Sequence, residues 1–596
     1  MRGTLVLMNP ANSKIISKLY FGLLPTQILL LALSAVSGII TTLFASNVIG
    51  SIALSAVGVY NPVYLFLCAL SAILLGGSQI LCGKFLGMHQ IKEMQSVFSL
   101  NMILALLISV IFTVLMFVGG YFDLTGFLAS DAVVRHEFNL YIIGLAGGVI
   151  PFLLSQQLFA FLTLEQQNSR LIFSSVVYIV STVFFTYLFL CVFPLGTFGL
   201  GLSGAAGNWA FLISLLPYFF RKDCLYKLRF KEIKRHYLKE MIACGLPGAM
   251  LRIYQTVSTL IANTLLLTYV GADGLAAVSS VMSLVEVFWA VPDGMEIVAR
   301  VLFSVSVGEE DKHSLTDIMR TVIFKSIPLI AILAAVMVCL AVPFTNCFYH
   351  DPSLPVYQMT VAGFRIIPIC LPFVVLCLSF ENYAEASGKH VLAHIATALY
   401  GVIIVSLISI FLIRRIGVQG FMLANVIGWA LSFLIFLLYA VIKNKHFPKT
   451  MEEWMVIPKD FGVDDKDRMD ISVQTMEGVV RVSEMVQQFC ESHGVKKKKA
   501  FYAALCMEEM AGNVVSHGFT KDNKNHSVDI RVSYKEDTLI LRIKDDCIQF
   551  DPAERKDILD PDDICKNVGI RMVYQIANDI EYQNMLGLNV LTIRLV

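Results

Sequence analysis

Charge is what this chain has least of. Asp, Glu, Lys and Arg make up only 15% of its 596 residues, against about 25% in an ordinary soluble protein, which excludes a chain solvated by water along its whole length. The two signs also cancel, 46 Lys and Arg against 45 Asp and Glu for a net charge of +1, so no overall basic field calls for a nucleic-acid partner. The 13 cysteines have neither metal-ligand spacing nor the even framework of a small secreted domain. Cys68, Cys191, Cys339, Cys370 and Cys377 lie inside apolar stretches and read as reduced packing residues.

Apolar residues fill the gap: 56% of the chain is hydrophobic and its mean hydropathy is +0.70. A bilayer crossing needs about 20 apolar residues. The chain offers twelve such stretches, centred at about residues 33, 66, 108, 149, 181, 210, 256, 290, 332, 371, 402 and 430. The first continues to about Val48, too long for the core of a cleaved signal, about 7–15 residues. Lys and Arg flanking short loops mark the cytoplasmic side. Lys14, Lys18, Lys84, Lys92, Arg170 and Lys389 fall on one side with the dense cluster from Arg221 to Lys239; Arg414-Arg415 is the exception. An even number of spans then predicts a multi-pass plasma-membrane protein, in contact with lipid, with both termini in the cytoplasm.

The membrane part repeats itself. Gly50-Ser-Ile-Ala-Leu-Ser-Ala-Val57 is echoed by Gly271-Ala-Asp-Gly-Leu-Ala-Ala-Val278, Leu24-Pro25 by Leu246-Pro247, Gly87 by Gly308 and Glu165 by Glu385, each about 220 residues apart. Gly201-Leu-Ser-Gly204 and Gly417-Val-Gln-Gly420 follow in the same order. Two homologous six-span halves are expected: a first lobe at 15–220, a basic linker at 221–240 and a second lobe at 241–445. Repeats of this kind typify secondary transporters, with the substrate between the halves.

With the Gly83-Lys84-Phe85-Leu86-Gly87 loop, these residues make the region 15–445 resemble the multidrug and toxic compound extrusion (MATE) family. The resemblance implies a central cavity and export of small organic compounds against Na⁺ or H⁺. Many members carry an Asp eight residues before the glycine that Gly50 matches; here that position is Thr42, and its repeat partner is Asn263. Acids within spans are costly and mark function by default. Glu286, Asp293 and Glu296 fall in the eighth span, Glu381 and Glu385 near the end of the tenth. Glu296 and Arg300, four apart, can pair on one helix face, and with Glu385 they read as membrane-boundary residues. Thr42, Asn263, Glu286, Asp293 and Glu381 remain as cavity candidates, with a structural role as the alternative.

A polar linker at 446–469 leads to a region, 470–596, of different periodicity. Val479–Phe489 and Phe501–Val515 have helical spacing. Val528–Tyr534 and Thr538–Ile543 alternate as strands around a turn, and a helix at Val568–Ala577 precedes strands near 579–584 and 588–595. The expected fold is a two-layer α/β sandwich on a polytopic helical body. Glu509 and Asn513 share a helix face; a carboxylate there can act as a general base and an amide oxygen as a hard ligand for Mg²⁺. Asp545 ends a strand, where it can accept from an exocyclic amine, and Gly569 opens a helix, where free N–H groups favour phosphate.

In this order the residues resemble the GHKL (Bergerat-fold) ATPases, and among them the anti-sigma-factor serine kinases, with Glu508-Glu509-Met-Ala-Gly-Asn513-Val-Val-Ser-His517-Gly518 as the N box. The resemblance implies ATP and Mg²⁺, with Glu509 as general base, Asn513 as metal ligand, and Asp545, Gly569 and Thr592 contacting nucleotide. It also implies a cytosolic STAS-type or phosphatase partner. Two glycines of the family pattern are replaced: Asp545-Asp546-Cys547 stands for Asp-x-Gly, and Asn567-Val568 precedes Gly569. No helix pair with a phospho-acceptor histidine precedes residue 470, which disfavours a sensor histidine kinase, and no Gly-x-x-x-x-Gly-Lys-Ser/Thr loop suggests an ABC-type motor. Two functions stay open: an ion-driven exporter regulated by an ATP-binding domain, or a membrane-anchored serine/threonine-kinase-like sensor or partner switch.

Overall fold

The computed structural model describes residues 11–44, 48–49, 51–126, 132–165, 167–221, 224–520, 526–535, 537–554 and 568–596, a few of them, 33–43 and 51–56 among these, by backbone alone. The first lobe consists of α1 (Ala11–Phe44), α2 (Ser51–Gly87), α3 (Ile91–Tyr121), α4 (Ala132–Ala146), α5 (Val149–Leu164), α6 (Asn168–Tyr187) and α7 (Gly196–Phe219). The second has α8 (Tyr237–Tyr269), α9 (Ala272–Gly308), α10 (Lys312–Thr321), α11 (Ile327–Cys339), α12 (Ala341–Asn346), α13 (Pro355–Ile366), α14 (Leu371–Ala386), α15 (His390–Ala398), α16 (Ile404–Ile416) and α17 (Val418–Asn444). Helices suit lipid because each satisfies its own backbone polar groups.

Among the described residues nine helices are long and apolar enough to cross a membrane, or ten when α4 and α5, bent by 52°, count as one. That bend falls at Gly147-Gly148, inside the expected fourth span. α1 and α8 complete the helical framework as rods of 34 and 33 residues, each with its repeat proline, Pro25 or Pro247, inside it.

The repeat is also an axis of contact. α2 runs against α8, and α1 against α9, which are the same crossing in the two halves. A methyl group at Gly245 would lie 1.9 Å from the Ile73 carbonyl oxygen, and one at Gly77 1.9 Å from that of Met241. Further along α2, repeat-related positions meet each other. A methyl at Gly308 would lie 2.0 Å from the Lys84 carbonyl oxygen, one at Gly87 2.2 Å from that of Val305, and one at Gly83 2.1 Å from Ser304 Oγ. The two lobes therefore touch backbone to backbone at the end where α2 and α9 finish, an approach only residues without a Cβ permit.

At that same end sits the C-terminal unit. After α18 (Met451–Met455) come β1 (Arg468–Val473), α19 (Met476–Ser492), α20 (Lys497–Asn513), β2 (Val528–Lys535), β3 (Thr538–Asp545), α21 (Val568–Ile576), β4 (Asp579–Met585) and β5 (Leu588–Leu595). The five strands form one antiparallel sheet in the order β1-β2-β3-β5-β4. Strand side chains alternate between faces, and here the two faces have different partners. Ile530, Val532, Leu539, Leu541, Ile543, Leu591, Ile593 and Leu595 join Val479, Val482, Val486, Ala503 and Met507 of the helices in one core. Leu586 and Val590 belong instead to the core of the membrane body.

The strands at 528–535 and 538–545 and the helices at 476–492, 497–513 and 568–576 lie where alternation and helical spacing place them. The linker differs from expectation. Arg468 is already paired in β1, opposite Ser533, and the preceding segment is packed rather than free: Met455 is buried, with Met451, Ile457 and Phe461 against the body core. Lys389 Nζ donates to the Val456 carbonyl at 2.8 Å.

Candidate functional site

The residues expected to contact nucleotide fall on the helix side of the sheet, with one exception. Asp545, the last residue of β3, is buried and accepts hydrogen bonds from the Cys547 backbone N–H (3.0 Å) and from Asn589 Nδ2 (2.8 Å). Burial raises its carboxyl above the ordinary value of 3.8, while Asn589 and Cys547 pull the other way. Asn589 is its register partner on β5 and also donates to the carbonyls of Cys547 (3.2 Å) and Ile548 (3.4 Å). Tyr582 Oη donates to Asn589 Oδ1 at 2.8 Å.

Thr592 is the exception. It lies three residues beyond Asn589, so the two-residue period turns it to the opposite face, between its register partners Arg542 and Glu581. There it is buried, with no hydrogen-bond partner for its hydroxyl among the described residues. Asn589 stands beside Asp545 where Thr592 was expected. Parity counted back from the apolar residues Leu591, Ile593 and Leu595 is the signal that identifies it.

Glu509 and Gly569 are brought together. A methyl group at Gly569 would lie 1.9 Å from Glu509 Oε2, so the carboxylate rests on the first turn of α21. The unpaired N–H groups and the dipole of a helix N-terminus favour an anion there. Asn513 is one turn further along α20, half-buried at the helix end. Gly518 closes the turn that follows, and a methyl there would lie 3.0 Å from Cys547 Sγ. The end of the N-box segment thus abuts the Asp545–Cys547 loop. The residues between α20, β3 and α21 can hold a nucleotide: Asp545 and Asn589 at an amine-bearing base, the start of α21 at phosphate, Asn513 at a cation. His526, Asp546 and Cys547 also cluster tightly enough to hold a metal ion, but His526 Nδ1 already lies 2.9 Å from Asp546, which is paired with Lys18 as well.

Within the membrane body the candidates separate. The side chain of Thr42 lies outside the described residues. Asn263 is half-buried on α8 and Glu286 exposed on α9. Asp293 forms an ion pair with Arg252 of α8 at 3.5 Å. Glu296 pairs with Arg300 one turn away, and Arg300 Nε also donates to Asn382 Oδ1 at 3.0 Å. Glu381 is buried inside the second lobe, where it lines a small cavity with Phe380, Lys389 and Trp454: Thr397 Oγ1 donates to it at 2.9 Å, as does Tyr400 Oη, whose ring stacks on Trp429.

The largest constellation of charge was not anticipated. It lies between the outer face of the sheet and the loop Glu309-Glu310-Asp311 that follows α9. Fully buried Asp311 receives Arg531 at 2.6 Å and Arg468 at 3.1 Å, and caps α10 by accepting from the Ser314 N–H. Asp470 accepts from both of those guanidinium groups. Glu309 accepts from Lys544 Nζ at 2.6 Å, with Arg542 at 3.9 Å, and Glu310 faces Lys535 at 3.3 Å. Burial alone would raise Asp311, but Arg531, Arg468 and Lys544 hold it well below the usual carboxylate range. Glu309 is likewise lowered, burial being outweighed by Lys544 and Arg542.

The comparisons with known proteins follow the same division. A family model described as MatE matches residues 27–188 and 247–412, more than half of the chain, and one described as a histidine kinase-like ATPase domain matches residues 473–595. Among solved structures, an outward-facing multidrug resistance MATE family transporter of the MOP superfamily aligns with a TM-score of 0.65 at 15% identity, over 74% of this chain and 100% of its own. A MOP superfamily transporter from Pyrococcus furiosus, whose binding pocket is described as of reverse polarity, aligns at 0.65 and 16% over 74% and 100%. A MATE protein in complex with MaL6 aligns at 0.66 and 15%, over 73% and 99%. At these identities the likeness is one of fold. No curated protein matches.

Proposed function

Because this chain belongs to the MatE family, we propose that it is a secondary active exporter of small organic compounds whose C-terminal domain binds Mg²⁺-ATP and regulates transport. The observation that carries this reading is the crossing of the two repeats at Gly83, Gly87, Ser304 and Gly308. Two pseudo-symmetric halves that touch through glycines at one end and can part there are what alternating access requires. The lobes take 15–220 and 241–445, and the closed end faces the cytoplasm, where the basic loops and ATP are. The coupling ion is Na⁺ or H⁺, and with Thr42 in place of a first-lobe carboxylate, Asp293 beside Arg252 is the acid best placed between the lobes.

In the C-terminal domain Asp545 and Asn589 take the adenine amine and Gly569 admits phosphate at the start of α21. Asn513 ligates Mg²⁺ and Glu509 stands as general base. Phosphoryl transfer is positioning and charge stabilisation, and the arrangement supports binding more directly than turnover.

The test is efflux of a fluorescent cationic dye from proteoliposomes under an imposed Na⁺ or pH gradient, with and without Mg²⁺-ATP. Gradient-dependent flux is expected. Absent flux combined with ATP-dependent phosphorylation of a cytosolic STAS-type protein would favour the second reading, a membrane-anchored serine/threonine kinase or partner switch, for which the missing carboxylate at Thr42 is the supporting observation.

A further inference from the structure

The last two residues of β3 and the one that follows it face three different parts of the molecule. Lys544 reaches Glu309 of the second lobe at 2.6 Å. Asp545 turns to the helix side and is held by Asn589. Asp546 pairs with Lys18 on α1 of the first lobe. The same sheet face adds Arg542 at Glu309 and, through Arg531 and Arg468, the grip on Asp311. Apolar contact spans both lobes as well: Leu586, Leu588 and Val590 line one small cavity with Ile15, Ile16 and Leu19 of α1 and Leu302 and Val305 of α9.

These contacts lie where Gly87 and Gly308 bring the lobes together. Successive strand residues are about 3.4 Å apart, so Lys544 on the ladder and Asp546, the residue directly after the strand, are only two residues apart. The first is tied to one lobe and the second to the other. A strand cannot follow both lobes apart, so opening this end breaks one of the two attachments. The Asp311 pairs are desolvated, and a buried pair that loses one partner leaves an uncompensated charge.

Resting on the reading of the halves as alternating-access lobes, we propose that the outer face of the ATPase-like sheet is an intramolecular clamp. Its partner is the acidic loop Glu309–Asp311 together with the start of α1, and while docked it holds the two lobes closed at the cytoplasmic end. Docking inhibits the step in which that end opens, and release of the domain permits it.

Hydrogen exchange of the full-length protein in lipid nanodiscs reads the clamp without requiring transport. Glu309→Lys on the loop and Lys544→Glu on the sheet are each expected to raise exchange at 305–315 and, through the lobe contact, at 84–92 by ten-fold or more. The double variant carrying both is expected to return both segments to within two-fold of wild type. If one single variant is too unstable to purify, the other single variant and the double still decide. Unchanged exchange in a folded single variant overturns the clamp, as does a double variant no better protected than the singles. So does exposure of 305–315 while 84–92 stays protected, because the lobes would then close independently of the domain. A protein that transports nothing but shows the expected exchange pattern would overturn the exporter reading and leave the clamp standing, so the two failures are distinct.

Discussion

Adding one methyl group at Gly308 tests the geometry of the closed end. The new Cβ would lie 2.0 Å from the Lys84 carbonyl oxygen and 2.8 Å from its carbonyl carbon, both backbone atoms of a helix that cannot rotate aside. Ordinary van der Waals contact begins at about 3.4 Å, so α2 and α9 must separate by about 1.4 Å at this point. Overpacking of this kind costs about 1–3 kcal/mol, and the gain from removing a helical glycine, about 1 kcal/mol, does not cover it. Gly87→Ala meets the same obstacle at 2.2 Å from the Val305 carbonyl oxygen and is expected to act alike. Gly248→Ala is the control: it is also helical, but nothing lies within 4 Å of its Cβ, so it should be neutral or stabilising. Accessibility of the 84–92 and 305–315 segments to hydrogen exchange is expected to rise in Gly308→Ala and Gly87→Ala and to stay at the wild-type level in Gly248→Ala. If Gly308→Ala behaves like Gly248→Ala, the lobes do not close through this contact and the argument for alternating access at these glycines is lost.

For the nucleotide site, removing one hydrogen bond is worth about 0.5–1.5 kcal/mol. Asp545→Asn should therefore weaken ATP binding about 3- to 10-fold by titration calorimetry, while Thr592→Val, on the far face of the sheet, should leave it unchanged; an equal loss in both would put Thr592 back in the site. Asn513→Ala should abolish the dependence of ATP affinity on Mg²⁺, and a retained dependence removes it as the metal ligand. Burial pushes Asp529, which faces the clamp, up to about 6 from 3.8, eased by Ser472 and Lys544. A carboxyl so raised favours its protonated form in the fold, so its cost is absent below pH 3.8, grows between 3.8 and about 6, and is constant above. Asp529→Asn should raise thermal stability at pH 7.5, by at most about 3 kcal/mol, and give no gain at pH 3.5; a pH-independent effect refutes the assignment. In the second lobe, Glu381→Ala removes two buried hydrogen bonds: it strands the Tyr400 hydroxyl, at about 1–3 kcal/mol for a buried group left unpaired, while the Thr397 hydroxyl keeps the Ala393 carbonyl at 2.8 Å. An unchanged unfolding temperature would show that those hydrogen bonds contribute nothing.

What the sequence made legible was whatever repeats or alternates locally. The strands at 528–535 and 538–545 and the helices of the C-terminal domain follow from periodicity, because each element buries one face. The match of Gly87 with Gly308 was visible as a repeat, though not that the two residues touch. The clamp was invisible for a physical reason. Arg531, Arg542 and Lys544 occupy alternate positions on the polar face of their strands, and a polar face reads as solvated. Their partners lie far away in sequence, Arg468 being 157 residues from Asp311. β1 is hidden because its sequence, Arg468-Met-Asp-Ile-Ser-Val473, carries charge on the face that meets the body, so its first two residues read as linker and the other four as no regular element. For Thr592 the difference is one of parity: the family resemblance points to the hydroxyl, whereas the apolar phase of Leu591, Ile593 and Leu595 gives the helix-facing position beside Asp545 to Asn589.

Putting the site and the clamp on one strand has a thermodynamic consequence that needs no assumption about pathway. Two sites coupled by a free energy influence each other by the same factor in either direction. If a nucleotide that takes Asp545 from Asn589 loosens the grip of Lys544 on Glu309 or of Asp546 on Lys18, then holding the lobes apart at this end must raise nucleotide affinity by the same factor. The clamp gives this coupling two discrete states, docked and released, rather than a graded deformation, because Asp311 is fully enclosed by Arg468, Arg531 and Ser314 and cannot be half-solvated at low cost. Glu309→Lys supplies the released state without ligand. ATP affinity in that variant should therefore exceed that of the wild type by the factor with which saturating ATP shifts exchange at 305–315 in the wild type. Equality of two numbers from independent measurements is a stricter requirement than the sign of either. Agreement would mean that the ATPase-like domain senses the lobes as much as it restrains them, and a nucleotide affinity indifferent to Glu309→Lys would mean that the shared strand carries no coupling at all.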